Sequence, residues 1–235
     1  MSRTSAVPAA WLHPASPAAA RAVQKEMADH LLEEAPPEHV ALVGGVDIST
    51  TRFDPEQRVH AAIVGLDWPG LSPVVRAGAV QRAAIPYIPG LLGFREVPAA
   101  LEAWQRLPRR PELLLVDGHG RAHPRGLGIA CHLGLVLDLP TIGVAKSILV
   151  GEVEGTLPDE PGAEAPLVWR GTRIGTALRT RRGANPLYIS PGHRMTLAGA
   201  VNWVRRCGRG YRLPEPTRHA HLAAGALRRD ALAEG

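Results

Sequence analysis

The stretch Glu112-Leu-Leu-Leu-Val-Asp117-Gly-His119-Gly-Arg-Ala-His123-Pro-Arg125 constrains the fold of this chain more than any other. Leu113 to Val116 is a short apolar run bounded by Pro111 and Gly118, which reads as a buried strand. Asp117 stands where that strand stops, two glycines turn the backbone, and His119, His123 and Arg125 follow in one loop. An acid at the exposed end of a buried strand, followed by a glycine turn and histidines, is where an α/β sheet holds a ligand or metal. The competing reading is local: Asp-Gly is a common turn, and Asp117 would cap the next helix.

The flanking elements suggest the rest of the sheet. Residues 1–16, broken by Pro8 and Pro14, read as a flexible segment, and 17–235 as one domain with no linker or repeat. Ser16-Pro17 opens a helix with Ala20, Val23, Met27, Leu31 and Leu32 as its apolar face, closed by Pro36-Pro37. Three strands follow, over 40–49, 58–68 and 72–80, joined as an antiparallel meander. In the first, Gly44 and Gly45 mark a bulge or a close approach by another backbone. Asp47 lies there among apolar neighbours and must be paired, hydrogen-bonded or bound to a cation. Pro86-Tyr87-Ile-Pro89-Gly90 is a stiff loop with an aromatic tip, either folded into the core or projecting as a wedge or stacking platform for a base.

A helix from Phe94 to Leu107 carries Glu96 in its first turn. A second, buried helix spans 126–137, and Thr141 to Ala145 is a parallel strand that delivers Lys146 to the same edge as Asp117. Beyond it the sequence predicts a mobile acidic loop over 152–166, a hairpin turning at Gly171-Thr172, a strand over 186–189, and helices over 196–206 and from about 217 to 227. The fold class is therefore α/β: a mixed sheet of an antiparallel meander plus parallel strands, with flanking helices.

Charge and composition narrow the partner. From Arg170 onward there are thirteen arginines against three acids, which points to a polyanion. Lysine occurs only at positions 25 and 146, and arginine does not replace it where a compact ammonium is required, which singles out Lys146. Cys131 and Cys207 are too few and too far apart for a disulfide framework and read as reduced thiols of a cytoplasmic protein. No basic, apolar leader and no stretch of about 20 apolar residues occurs, so no membrane partner is expected.

In this layout Asp47, Glu96 and Asp117 converge on one sheet edge. Three carboxylates there repel one another unless a cation is bound, and an all-oxygen set suits Mg²⁺. Such a site can activate water and stabilise a transferring phosphoryl group, with Lys146 holding a phosphate or the attacking water.

Several of these segments, in this order over about residues 40 to 225, resemble endonuclease V: Val-Gly-Gly-Val-Asp47; Pro-Tyr87-Ile-Pro-Gly-Leu-Leu-Gly-Phe-Arg95-Glu96; Val-Asp117-Gly-His119-Gly-Arg-Ala-His123-Pro-Arg125; Gly-Val-Ala-Lys146-Ser; Ser-Pro-Gly-His193-Arg; and Pro-Glu-Pro-Thr-Arg218-His-Ala-His221. The resemblance implies a ribonuclease-H-like fold and an Mg²⁺-dependent nuclease, with Mn²⁺ substituting. The enzyme would recognise deoxyinosine in DNA, a repair activity, and cut the second phosphodiester 3′ to it, leaving 3′-hydroxyl and 5′-phosphate ends. It assigns Asp47, Glu96 and Asp117 to the metal and makes Lys146 and His221 catalytic. Tyr87 becomes the wedge for the displaced base, while Gly118 and the Gly120 turn leave room for that base. Arg95, His123 and His193 join the substrate-binding set, the first two near the phosphate. One departure is His219, where the family usually has an apolar residue; the helical reading puts it on another face from His221.

Two other functions remain open on the residues alone. One is an endoribonuclease directed at inosine in RNA, since the choice depends on room for a 2′-hydroxyl. The other is a silent nucleic-acid-binding module, which would lack one of the three carboxylates. No obligate protein partner is evident.

Overall fold

The computed structural model describes residues 7–51 and 54–233. Helices α1 (Ala9–Leu12) and α2 (Pro17–Asp29) precede the meander β1 (Leu42–Thr50), β2 (Arg58–Asp67) and β3 (Pro73–Arg82). Then come α3 (Leu92–Gln105), β4 (Leu113–Val116), α4 (Ile129–Leu137) and β5 (Thr141–Ala145). The last third adds β6 (Glu152–Val153), β7 (Glu164–Trp169), β8 (Thr172–Leu178), β9 (Leu187–Pro191), α5 (Leu197–Arg206) and α6 (Glu215–Ala233). Among the described residues the nine strands join one sheet in the order β3-β2-β1-β4-β5-β9-β8-β7-β6. β1 pairs antiparallel with β2 and parallel with β4, and β4 pairs parallel with β5. This is the ribonuclease-H-like mixed sheet that the sequence implied.

The alternation of β1 and β4 separates two cores. Val43, Leu113 and Leu115 pack with α5, while Val46, Leu114 and Val116 pack with α3 and α4 on the opposite face. Because both faces are covered, β4 is apolar at every position, and its sequence shows no alternation.

Several boundaries differ from the sequence reading, each for a local reason. The α2 helix ends at Asp29 instead of Pro36, because the Leu32 amide donates to His193 Nδ1 and the Leu32 carbonyl accepts from the Arg194 amide. The acidic loop is not uniformly irregular: β6 and the start of β7 form within it, and β6 pairs with Leu167 and Val168 just beyond it. The β7–β8 turn is Arg170-Gly171, both in the left-handed region, as a tight hairpin requires. Residues 1–6 of the expected flexible segment lie outside the described residues. Its later part forms α1, where the Trp11 carbonyl accepts from His132 Nε2 at 2.7 Å. Among the described residues no helix is long and apolar enough to cross a membrane.

Gly45 sets the position of α6. It lies on β1 where the Pro216 backbone passes so closely that a Cβ would collide with the Pro216 carbonyl. The close approach read from Gly44-Gly45 is therefore made by the first turn of α6. Thr217, fully buried, follows Pro216, and His221 lies one helical turn beyond Thr217. Two residues beyond Gly45, on the same face of β1, is Asp47. Gly45→Ala is expected to push α6 off the sheet and destabilise the protein by roughly 1–3 kcal/mol, as overpacking does. Urea unfolding checks this; an unchanged midpoint would mean that α6 does not rely on the contact.

Candidate active site

The β1–β4 ladder places two carboxylates side by side. Val46 pairs with Val116, so the next residue on each strand is an aspartate, on strands about 4.8 Å apart. The Asp117 amide donates to the Val46 carbonyl at 2.9 Å, which extends the parallel pairing one step past the assigned strand. Asp47 and Asp117 also share the face of the sheet that carries α6. Asp47 Oδ2 lies 2.9 Å from His221 Nδ1. The Lys146 ammonium, one residue past β5, is hydrogen-bonded to Asp117 Oδ2.

Among the described residues Asp47, Asp117 and His221 form one group whose ligand atoms all lie within 4.8 Å of one another. Glu96 stands behind it on α3, buried. Burial pushes the Glu96 carboxyl up to about 8; Arg95 opposes that shift, and Asp47 and Asp117 add to it. Asp47 is raised to about 6, first by burial and then by the charge of Asp117, against the pull of His221 and Lys146. Two buried acids held above their ordinary range by burial and by neighbouring carboxylates are a site short of positive charge. The donor set fits a divalent cation: carboxylate oxygens suit Mg²⁺ or Mn²⁺, and the imidazole is tolerated better by Mn²⁺. The sequence put Glu96 with the two aspartates. The closest triad instead contains His221, with Glu96 near enough to feel both aspartates.

Tyr87 projects from its loop with 68% of its surface exposed, so it is not a core residue. The loop is clamped at both ends. Arg95 Nη1 donates to the Ile85 carbonyl at 2.8 Å. The Gly90 carbonyl accepts from Gln24 Nε2 at 2.9 Å, His123 Nε2 at 3.1 Å and Arg125 Nη2 at 2.6 Å. The Arg125 amide donates to His123 Nδ1 at 3.2 Å, which leaves the proton on Nε2 to meet Gly90. Burial, with Arg125 close by, holds the His123 imidazole down to about 4 and therefore neutral. Arg95 and His123 thus brace the loop from beneath instead of joining the carboxylates.

Between the Tyr87 loop and the end of β4 lies a cavity of about 220 Å³. Asp117, Gly118, His119, Tyr87, Ile148 and Leu149 are among the residues around it. Gly118 has φ +152°, and a Cβ there would meet Ile129 Cγ2 at 2.5 Å. Any other residue would both strain the backbone and crowd the cavity wall. His119 Nε2 donates to the Ser147 carbonyl at 2.9 Å and ties the two loops together across the cavity.

His193 belongs elsewhere. It is buried at the start of β5, where its Nδ1 accepts from Leu32 and its Nε2 meets Asp138 at 3.2 Å. That end of β5 is opposite the one carrying Lys146, about 16 Å away along the strand. His219 pairs with Glu215 at 3.2 Å, so of the two imidazoles His221 is the one at Asp47. Sequence reasoning did not pick out Gln24, a polar residue buried on the apolar stripe of α2 between Ala20 and Met27. A glutamine at a core position of an amphipathic helix was the available signal. The Ser147–Leu149 wall carried none.

The endonuclease V family profile matches residues 25–222. The endonuclease V of Rhodospirillum centenum is 53% identical over 224 residues, which cover 95% of this chain and 93% of the relative. The crystal structure of endonuclease V from Streptomyces avermitilis superimposes with a TM-score of 0.86 at 41% identity, covering 96% of this chain and 98% of that one. A single-residue variant of Ciona intestinalis endonuclease V was crystallised with a 23mer DNA containing an inosine followed by a ribo-adenosine. It matches with a TM-score of 0.76 at 25% identity, covering 90% of this chain and 97% of that one.

The raised Glu96 has a thermodynamic consequence. Its carboxyl binds its proton more tightly folded than unfolded, so without metal it costs stability as pH rises from about 4.5 through about 8. In EDTA, Glu96→Gln should match the wild type at pH 4 and melt higher than it at pH 8.5. Thermal scans at the two pH values check this, and parallel melting curves would show that Glu96 is not under that strain.

Proposed function

The chain belongs to the endonuclease V family, and we propose that it is a DNA repair endonuclease that recognises deoxyinosine and hydrolyses the second phosphodiester bond 3′ to it, leaving 3′-hydroxyl and 5′-phosphate ends. The observation that carries this reading is one shared wall: Asp117 both lines the cavity beside Tyr87 and belongs to the Asp47–Asp117–His221 group. A base displaced by Tyr87 into that cavity brings its own strand past the carboxylates. The Ciona complex supports inosine as the base.

Asp47, Asp117 and His221 would hold Mg²⁺, with Glu96 adjacent and Mn²⁺ able to substitute. A divalent ion there lowers the pKa of water and neutralises charge on phosphoryl oxygens. The chain's own residues supply the rest. Lys146 sets an ammonium beside Asp117, within reach of a phosphate oxygen or the attacking water. His221 orients the Asp47 carboxylate. Tyr87 fills the space the base leaves, and the Arg95 and Gly90 clamps keep its loop from yielding to the duplex. The two cysteines, free and buried, fit a cytoplasmic enzyme.

A second reading is cleavage 3′ to inosine in RNA, favoured by the ribo-adenosine that follows the inosine in the Ciona complex. One assay addresses both: matched oligonucleotides with a single deoxyinosine in DNA or inosine in RNA, each with Mg²⁺ or EDTA. A Mg²⁺-dependent cut one nucleotide beyond the lesion in DNA is expected. Cutting of RNA alone would move the substrate to RNA, and no cutting of either would overturn the reading.

In the same assay Asp117→Asn should lower the rate at least about a hundredfold, in the range seen when a charge-stabilising group is removed. A near-normal rate would overturn the metal assignment. Tyr87→Ala should weaken binding to inosine DNA roughly tenfold or more, on the scale of lost base stacking, and weaken binding to undamaged duplex less. Gel-shift titrations measure the two; equal losses would remove the wedge role.

A further inference from the structure

Each face of the sheet carries an exposed tyrosine. Tyr87 enters ahead of α3 on one face. Tyr211 lies between α5 and α6 on the other and is 53% exposed. The Arg218 guanidinium stacks on the Tyr211 ring, 4.6 Å from its centroid, and is held flat by Glu215 through Nε at 2.9 Å and Nη2 at 2.5 Å. On α6, Arg218 is followed three residues later by His221 and four residues later by Leu222, which is 56% exposed. Tyr211, Arg218 and Leu222 therefore make an outward-facing apolar and cationic patch directly beside His221. Tyr211 also borders a cavity of about 200 Å³ formed with Leu178, Val204, Pro214, Arg179 and Arg205. The next residue, Arg212, donates from Nη2 to the Lys146 carbonyl at 3.2 Å, so the patch is tied to the active-site loop as well as to α6.

We propose that Tyr211 and Leu222, with Arg218 stacked between the ring and α6, form a platform for the bases of the nucleotides 3′ to the scissile phosphodiester. The inference rests on the proposed function and extends it to the far side of the cut. The i, i+3 spacing sets Arg218 beside His221 on α6, and the stacking contact sets the Tyr211 ring against Arg218. An exposed aromatic with an arginine on its face is the chemistry that holds single-stranded bases without regard to sequence. Arg206 and Arg209 do not belong to this patch: Arg206 stacks over Trp68 and Trp203 and Arg209 donates to the Pro69 carbonyl, at the opposite end of β1 from Asp47. A strand leaving the Tyr87 cavity thus crosses the Asp47–Asp117–His221 group and reaches Tyr211, with the lesion held on one face of the sheet and the 3′ product on the other.

Steady-state kinetics on inosine strands of graded 3′ length test this. Tyr211→Ala and Leu222→Ser should each raise KM roughly tenfold on strands extending six nucleotides beyond the cut, with kcat within about twofold. The rise should fade as the extension is trimmed to one nucleotide. Tyr211→Phe, which keeps the ring, should restore the wild-type KM. A KM unchanged in Tyr211→Ala, or raised equally on long and trimmed strands, would overturn the platform. If the wild type cuts no inosine strand, the proposed function has failed. The platform is then read separately by fluorescence anisotropy with an inosine-free single strand. There Tyr211→Ala should bind roughly tenfold more weakly than Tyr211→Phe, and equal binding would overturn the proposal and leave the patch to a protein partner.

Discussion

The repulsion between Asp47 and Asp117 is the constraint on which the site depends. Parallel pairing of two strands in register forces the residues after Val46 and Val116 into adjacent positions on one face. Two carboxylates there, with a third behind at Glu96, are unfavourable on their own, and burial makes the cost larger. The chain supplies partial compensation from two sides: Lys146 from β5 and His221 from α6. Each compensating group arrives on a different element, so the sheet and α6 must be in place before the acids are tolerated. The same deficit of positive charge makes the edge a place for a cation.

The approach of α6 follows from Gly45. A side chain at that position would hold the helix away from β1, and His221 would no longer reach Asp47. The missing Cβ thus acts on chemistry two residues away, through the packing of a helix more than 160 residues later in the chain. The loop bearing Tyr87 is fixed by a different device. Its Gly90 carbonyl takes three donors from α2 and the β4–α4 loop, and its Ile85 carbonyl takes Arg95 from α3. A wedge must resist the stacked bases it displaces, and hydrogen bonds at both ends of a proline-rich loop provide that stiffness.

Much of this was legible in the sequence because it is local. A short apolar run ending in Asp117 and Gly118, the Gly44-Gly45 pair and the prolines around Tyr87 each carry their own backbone meaning. Lys146 stood out by the scarcity of lysine. What was not legible is the partnering between distant segments. His193 joins the substrate-binding set through its Ser-Pro-Gly-His193-Arg motif, but strand β9 runs antiparallel to β5 and carries it to the end away from Lys146. Arg95 and His123 are placed near the phosphate by the family resemblance alone. Their hydrogen bonds go to carbonyls of a loop whose course over the cavity no periodicity reveals. Gln24 was lost among helix-forming residues for the same reason: its partners lie 66 and 101 positions away.

The excess of arginine over the last third needs a similar correction. A net-positive tail reads as a nucleic-acid surface, yet many of these side chains serve the fold. Arg194 binds Glu34 and Asp138, Arg205 binds Glu164, and Arg218 binds Glu215. Arg212 donates to the carbonyls of Lys146, Asn185 and Pro186, and so ties the turn after β5 to the β8–β9 connection. Arginine suits this work because one planar fork satisfies several carbonyls at once, where an ammonium would act as a single point. Arg206, stacked over Trp68 and Trp203, and Arg209, on the Pro69 carbonyl, extend the same pattern, so the basic tail is largely spent on cross-links within the fold. Lysine is kept at position 146, where a compact charge beside one carboxylate is what the site uses.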